Sequence, residues 1–382
     1  MNRTAIAALL FGRRSAGRRP RRRLLVATLL VSAATSILSV SAAAAPAATP
    51  SPVFAYYYIW FDPSSWNRAK TDFPALGRYS SDERLVMRRH VRWAKAAGIE
   101  GFIVSWKSMP TLDERLSELA EVARAERFEL LVIYQGLDFE REPLPSARVA
   151  RDLDLFRARY ARHPAFDKFG RPVVVWSGTW RFSAQEIADV TASAGPQVLI
   201  LASERNADGY RRVAPYVNGN AYYWSSVNPE TFPGYEAKLA EMGRAVHRRR
   251  GIWIAPAAPG FDARLIGGTT VVSRRNGATL RRELDAATAS SPDAIGLISW
   301  NEFSENTHIE PSVRFGGRYL EVLADIRGAT VDIDSDLDSS APGTTGRSYG
   351  PAILAGLLAL VIGALAVAAW RAWSKRRTPS VR

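Results

Sequence analysis

Eight short apolar runs, separated by longer amphipathic segments, are the feature that most limits what this chain can fold into. The runs are residues 53–59, 101–105, 129–134, 172–176, 197–201, 219–224, 251–255 and 294–300. Most are continuously apolar rather than alternating, which is typical of parallel strands covered on both faces. The segments between them, such as residues 82–97, 111–127, 146–162, 183–194, 233–250 and 276–289, have the spacing of helices. Eight such units in about 280 residues predict a (β/α)8 TIM barrel over residues 51–327.

A doubly wound open sheet is the other fold that this alternation allows. It would place a glycine-rich phosphate-binding loop directly after an early strand. No such loop follows the runs at residues 53–59 and 101–105, so the pattern favours the closed barrel.

The two termini have the composition of export and membrane segments. Arginine-rich residues 1–23 precede apolar residues 24–40 and small residues 41–45, which predicts a signal peptide over residues 1–45. Residues 351–370 are a charge-free apolar segment of 20 residues, which as a helix is about 30 Å long and crosses a bilayer. A flexible linker is predicted at residues 328–350 and a basic cytoplasmic tail at residues 371–382. We therefore expect a single-pass cell-membrane protein whose barrel domain is extracytoplasmic.

The net charge of +14 belongs to these termini rather than to the body of the chain. Of the 51 Lys and Arg residues, 13 lie in residues 1–25 and 371–382, which leaves 38 basic against 37 acidic residues elsewhere. The nearly neutral residues 26–370 therefore give no indication of nucleic-acid binding.

The absence of cysteine excludes a cysteine nucleophile and thiolate metal sites.

Aromatic, carboxylate and amide side chains follow the predicted strands at the barrel end where TIM-barrel sites lie. Aromatic faces stack on the apolar C–H surface of sugars, and neighbouring polar groups bind the hydroxyls. The ends of the strands therefore predict a carbohydrate site. The substrate-binding residues predicted from the first six strands are Tyr57, Trp60, Trp106, Gln135, Trp176, Glu204, Tyr223 and Trp224.

Two glutamates, Glu302 and Glu305, lie three residues apart just beyond the eighth run. Neighbouring carboxylates repel each other, so one tends to keep its proton near neutral pH while the other is ionised. Glycoside hydrolysis requires this division between an acid and a base or nucleophile. Trp300 and Asn301 precede the pair, and we expect both to contact substrate, with Asn301 holding a sugar hydroxyl or orienting a carboxylate.

The sequence around these glutamates resembles the signature of glycoside hydrolase family 99. Residues 300–311 read WNEFSENTHIEP, similar to the family pattern W-N-E-W-x-E-G-x-x-I-E-P. Residues 56–60 (YYYIW), 74–79 (PALGRY) and 93–106 (WAKAAGIEGFIVSW) also resemble this family or the wider family 71/99-like group. The family comprises endo-α-1,2-mannosidases and mannanases on (β/α)8 barrels. The chain departs from the pattern at Phe303, Asn306 and His308, which bears on substrate preference.

The resemblance implies a role for each glutamate. Glu302 would be the base that deprotonates the sugar 2-hydroxyl, which attacks C1 to give a 1,2-anhydro intermediate. Glu305 would protonate the leaving oxygen and later activate water, with retention of configuration and without a metal or cofactor. His308 is expected to contact substrate or to support the loop, and Glu310 to fix the loop.

The resulting prediction is an extracytoplasmic, membrane-anchored, retaining hydrolase of an α-mannosidic or related polysaccharide or oligosaccharide. Two alternatives stay open at the level of sequence. One is a catalytically inactive carbohydrate-binding surface protein on the same barrel, and the other is a polysaccharide-biosynthesis enzyme on a related barrel. The biosynthetic enzyme would need an activated sugar donor, for which the chain has no recognisable nucleotide-phosphate loop.

Overall fold

The computed structural model describes residues 50–331 and residue 333, and these form a closed barrel of eight parallel strands. The barrel strands lie close to the predicted runs. They are β1 (Val53–Tyr58), β2 (Gly101–Trp106), β3 (Glu129–Gln135), β4 (Val173–Ser177), β5 (Leu199–Ala202), β6 (Gly219–Ala221), β7 (Ile252–Ala257) and β10 (Ala294–Leu297), with a two-stranded hairpin, β8 (Phe261–Asp262) and β9 (Val271–Val272), after β7.

Eight α-helices of the described part surround the barrel. They are α1 (Arg84–Ala96), α2 (Pro110–Glu126), α3 (Ser146–Tyr160), α4 (Ala184–Ala194), α5 (Ala207–Val213), α6 (Tyr235–His247), α7 (Ala278–Ala289) and α8 (Arg318–Arg327). Short 3-10 turns occur at Pro63–Asn67, Pro164–Phe166, Thr179–Arg181, Arg264–Ile266 and Arg275–Gly277. Local signals set several helix ends. The Ser183 hydroxyl, for example, accepts from the Glu186 backbone N–H, and the Glu186 carboxylate accepts from that of Ser183 in return.

The strands follow one another around the barrel in chain order, and β10 closes it against β1. Val53 pairs with Ile295 of β10, and Phe54 pairs with Gly101 of β2, all in parallel register. Closure confirms the predicted (β/α)8 barrel and excludes the open-sheet alternative. It also brings the residues that follow β10 next to those that follow β1.

The core has two layers, and the side-chain direction along each strand decides which layer a residue joins. All six residues of β1 are buried. Phe54, Tyr56 and Tyr58 point into the barrel, whereas Val53 and Tyr57 pack on the helices outside. Successive side chains of a strand point to opposite faces, so Tyr58 lies at the inner mouth of the barrel and its neighbour Tyr57 does not.

The predicted signal peptide, membrane segment and basic tail lie outside the described residues, as does most of the predicted linker. Within the described part of the chain, no helix combines the length and apolar character that a bilayer span needs.

Candidate active site

The loop that follows β10, residues 299–311, folds back on itself at the carboxyl ends of the strands. The Ser299 backbone N–H donates to the Thr307 carbonyl at 2.9 Å, and the Glu310 N–H donates to the Trp300 carbonyl at 2.9 Å. These bonds close the base of the loop and leave Glu302 and Glu305 between them. The loop therefore presents both predicted catalytic glutamates at the mouth of the barrel.

Glu302 is only 6% exposed. Burial raises the pKa of its carboxyl, because a charge is poorly solvated there, and the Ser304 N–H and the nearby Lys70 oppose that rise. The Ser304 backbone N–H donates to Oε1 at 2.9 Å. Glu302 therefore has a fixed donor that stabilises its ionised form.

The ionised form of the Glu305 carboxyl is less well stabilised by its surroundings than that of Glu302. Burial, followed by the negative charge of Glu302, raises the pKa of its carboxyl to about 7, against the weaker pull of Arg141. Its backbone carbonyl accepts from the Asp262 N–H of the β8–β9 hairpin at 2.8 Å, which fixes the loop at this residue. At neutral pH a substantial share of Glu305 is protonated, so it is suited to donate a proton.

Two tyrosines complete the inner wall beside the glutamates. The Tyr58 and Tyr223 hydroxyls are 2.6 Å apart. Burial, with contributions from the charges of Glu305 and Glu302, raises the pKa of both hydroxyls well above their usual range. Both therefore stay protonated; one hydroxyl donates to the other, which leaves the proton of the second free to bond to a substrate or a carboxylate.

Trp60 and Gln135 are the other predicted residues that the structure places at the barrel mouth. Trp60 is 43% exposed and its ring lies 4.4 Å from that of Tyr58, as an open aromatic surface beside the pair of tyrosines. The Gln135 side-chain amide donates to the Ser105 hydroxyl at 3.0 Å and is half-buried. Both side chains therefore lie at the barrel end where the sequence places the site, and their contact with a sugar stays a prediction.

Four predicted substrate-binding aromatics lie on the outer side of the barrel instead. Tyr57, Trp106, Trp176 and Trp300 are each at most 2% exposed and belong to the layer between strands and helices. The Trp106 indole N–H donates to Asp113 of α2 at 2.8 Å, for example. This corrects the prediction, because side chains packed against helices offer no surface to a substrate.

Trp224 and Glu204 also face away from the barrel mouth. The Trp224 ring stacks on the Tyr235 ring with centroids 5.1 Å apart, and the Lys238 ammonium lies 4.6 Å from the centre of the Trp224 ring. Trp224 therefore packs on α6. The buried Glu204 carboxylate accepts from Arg212 of α5 at 3.1 Å. Both contacts join strand ends to helices, which corrects the predicted substrate contacts.

Asn301 and His308 are fully buried and support the loop from below. Asn301 bonds to the backbone of Tyr58. His308 Nε2 lies 3.1 Å from the Asp72 carboxylate, and its ring stacks on Phe303 at 4.0 Å. Burial and the positive charge of Arg274 lower the pKa of His308 to about 4, so the ring is neutral at pH 7. Of the two roles considered for His308, its position fits loop support.

Sequence reasoning missed three residues whose charges or hydroxyls act on the glutamates: Tyr58, Lys70 and Arg141. Tyr58 differs from Tyr57 only in side-chain direction, which a fully apolar strand does not reveal. Lys70 and Arg141 lie in loops without periodicity. Among the described residues, no group of three His, Asp or Glu side chains is arranged to hold a metal ion.

Comparison with known proteins identifies the family and the fold of the chain. The sequence model of glycosyl hydrolase family 99 matches residues 64–323. Among solved structures, the GH99 endo-alpha-mannosidase from Bacteroides thetaiotaomicron in complex with BIS-TRIS-propane has a similar fold, with a TM-score of 0.63 at 20% identity over 75% of this chain and 98% of that one. A second structure of the same enzyme gives a TM-score of 0.60 at 18% identity, with 76% and 98% covered. A glycoside hydrolase-like protein gives 0.57 at 14%, with 72% and 93% covered.

Proposed function

The chain belongs to glycosyl hydrolase family 99 and is a glycoside hydrolase. From that premise we propose that it cleaves internal linkages of α-mannosidic or related α-glycans, with retention of configuration. The observation that carries the proposal is the unequal environment of the two glutamates at the barrel mouth. Glu302 has a backbone donor and a nearby lysine, whereas Glu305 has a pKa raised to about 7.

The first step of the proposed reaction uses Glu302 as a base and Glu305 as an acid. Glu302 takes the proton of the sugar 2-hydroxyl, whose oxygen bonds to C1 as the C1–oxygen glycosidic bond breaks. The leaving oxygen receives the proton of Glu305, so the leaving sugar departs as a neutral alcohol. The product is a 1,2-anhydro sugar.

The second step reverses the proton movements. The Glu305 carboxylate takes a proton from water, the water oxygen bonds to C1, and the bond between C1 and O2 breaks. O2 recovers its proton from Glu302. Two inversions at C1 give net retention, and both carboxyls return to their starting states. The unequal support of the two carboxyls favours this assignment, because Glu305, which must start protonated, has less stabilisation of its charge than Glu302.

The substrate class is proposed from two sources. The structures with a similar fold include enzymes described as endo-alpha-mannosidases. The barrel mouth has an exposed indole, Trp60, beside the hydroxyls of Tyr58 and Tyr223. Such a pairing of an aromatic face with hydrogen-bond donors suits a pyranose ring.

We further propose that this domain works outside the cytoplasm, anchored by the apolar segment at residues 351–370. The support is the sequence alone: an arginine-rich, apolar, small-residue start and a basic tail after the apolar segment. Protease accessibility of the domain in intact cells tests this, since a cytoplasmic domain would be protected until the cells are lysed.

The test of function compares the wild type with Glu302→Gln and Glu305→Gln on α-1,2-mannan, with reducing ends and the anomer of the first product followed by NMR. We expect retention, and a loss of at least about a thousandfold in kcat for each variant, since each removes a proton-transfer group. Glu114→Gln, an exposed change on α2, is the matched control. Cleavage by either site variant at the wild-type rate would refute the assignment, and saturable binding without any product would favour an inactive binding protein.

A further inference from the structure

A chain of buried hydrogen bonds runs from beneath the catalytic loop to the inner wall of the site. Glu310 is 1% exposed, and both of its carboxylate oxygens are bonded. Oε1 lies 3.0 Å from His90 Nε2, and Oε2 accepts from the Tyr79 hydroxyl at 2.9 Å. Asn301 donates to the Tyr79 oxygen at 3.3 Å.

Asn301 ends this chain on the backbone of Tyr58. Its Oδ1 accepts from the Tyr58 N–H at 2.8 Å, and its Nδ2 donates to the Tyr58 carbonyl at 2.9 Å. The backbone pairing of β1 with β10 has its last paired residues at Ala55 and Leu297. The Asn301 amide therefore takes the place of a peptide group and extends the pairing of the two strands to the residue that lines the site.

The directions of the bonds that join Tyr58, Asn301, Tyr79 and Glu310 are determined. The backbone N–H of Tyr58 can only donate, so Oδ1 of Asn301 must face it and Nδ2 must face the carbonyl and Tyr79. The Tyr79 oxygen accepts from Asn301, and its single proton is then available for Glu310. The bonds from Asn301 through Tyr79 thus end on the Glu310 carboxylate, while a second hydrogen of the Asn301 amide returns to the Tyr58 carbonyl.

The same chain reaches both parts of the site. Tyr58 carries the hydroxyl that pairs with Tyr223 at 2.6 Å. Glu310 closes the base of the loop that holds the glutamates, through its N–H to the Trp300 carbonyl at 2.9 Å. A displacement at Tyr79 would thus change the position of the tyrosine wall relative to the glutamates.

We propose that Glu310, Tyr79 and Asn301 are positioning residues, which fix the Tyr58 wall against the Glu302–Glu305 loop without touching substrate. An effect of these residues on turnover rests on the proposed hydrolase activity, whereas their effect on the position of Tyr58 does not. Reaction rates depend strongly on such alignment, and a displacement of about 1 Å can cost on the order of a hundredfold. The expected defect is therefore in turnover rather than in binding.

Tyr79→Phe tests the proposal, because it removes the link between Glu310 and Asn301 and preserves the ring. Tyr134→Phe is the matched control. Its hydroxyl is also fully buried and also donates to a carboxylate, that of Asp152 at 2.8 Å, but it lies in the outer layer and has no bond to this chain. Both variants lose one buried hydroxyl, so their costs in stability should be similar.

Turnover of α-1,2-mannan, measured well below the melting temperature of each variant, is the first readout. We expect kcat of Tyr79→Phe to fall about ten- to a hundredfold with KM changed less than about threefold, and Tyr134→Phe to stay within about twofold of wild type. Equal losses in the two variants, or a change confined to the melting temperature, would overturn the proposal.

Hydrogen exchange of the Tyr58 amide is the second readout and requires no substrate. In the wild type, Asn301 protects this amide, so its exchange should accelerate by about tenfold or more in Tyr79→Phe and remain unchanged in Tyr134→Phe. If the wild type did not cleave mannan, the proposed function would fail and exchange alone would decide on the positioning role. Unchanged exchange in Tyr79→Phe would disprove that role, whatever the activity.

Discussion

Replacing Glu305 by glutamine should make the protein more stable above neutral pH and leave its stability almost unchanged near pH 4. Burial and the charge of Glu302 raise the pKa of Glu305 from its ordinary value of 4.5 to about 7. Between these two values the folded protein holds a proton that the unfolded chain has released. Stability therefore falls as the pH rises through this window, because the folded state must ionise a poorly solvated carboxyl.

The size of the effect follows from the width of the window. Each pH unit between the two pKa values corresponds to about 1.4 kcal/mol, so the full difference is about 3 kcal/mol. A neutral glutamine avoids this cost above about pH 7, once Glu305 would be ionised. Part of the gain comes from relieving the repulsion with Glu302, so the gains of Glu302→Gln and Glu305→Gln should not add.

Urea unfolding of the wild type and Glu305→Gln at pH 8 and pH 4.5 measures the difference directly. Glu114→Gln, which removes an exposed carboxylate, controls for the loss of one negative charge. We expect Glu305→Gln to exceed the wild type by about 2–3 kcal/mol at pH 8 and by much less at pH 4.5, with no such pH dependence in the control. A gain that was equal at both pH values, or absent at pH 8, would show that Glu305 is not held in a poorly solvated, repulsive environment.

Two further predictions follow from the same environment. The value of kcat/KM should fall as the pH rises through about 7, roughly tenfold per unit well above it, because Glu305 must be protonated to act as the acid; a rate that stayed level up to pH 9 would contradict this. Asp72→Ala should lower the free energy of unfolding by about 2–4 kcal/mol in urea titrations, because the Asp72 carboxylate accepts from His308 and from the Arg314 N–H. An unchanged urea midpoint would show that this support of the loop is dispensable.

The barrel could be predicted from the sequence because its strands are continuously apolar and its helices are amphipathic. The first run was predicted at residues 53–59, and the strand is Val53–Tyr58. The β8–β9 hairpin could not be predicted in this way, because strands of two residues are too short to give a periodic pattern. Its pairing depends instead on contacts such as that between Asp262 and Glu305.

The strands are recognised by their continuous apolar sequences, but such sequences do not show which side chains point into the barrel. A strand that is buried on both faces has no alternation of polar and apolar residues, so the sequence gives Tyr57 and Tyr58 the same character. The register of β1 in the closed barrel separates them. Trp106 and Trp176 were predicted in the site for the same reason, and the structure places both against helices.

The three glutamates of the loop at residues 299–311 differ in how many hydrogen bonds their carboxyl groups accept, and this difference distinguishes a structural carboxyl from reactive ones. Both oxygens of Glu310 are bonded to buried side chains, so the position of its carboxyl group is fixed. The Glu302 carboxylate accepts from the Ser304 backbone N–H, whereas the Glu305 carboxylate has no hydrogen bond to any residue of the described part of the chain. A buried carboxyl without donors, such as that of Glu305, keeps its proton to higher pH and can deliver it to a substrate. These three carboxyls, within nine residues of sequence, therefore fit the proposed roles of loop support for Glu310, base for Glu302 and acid for Glu305.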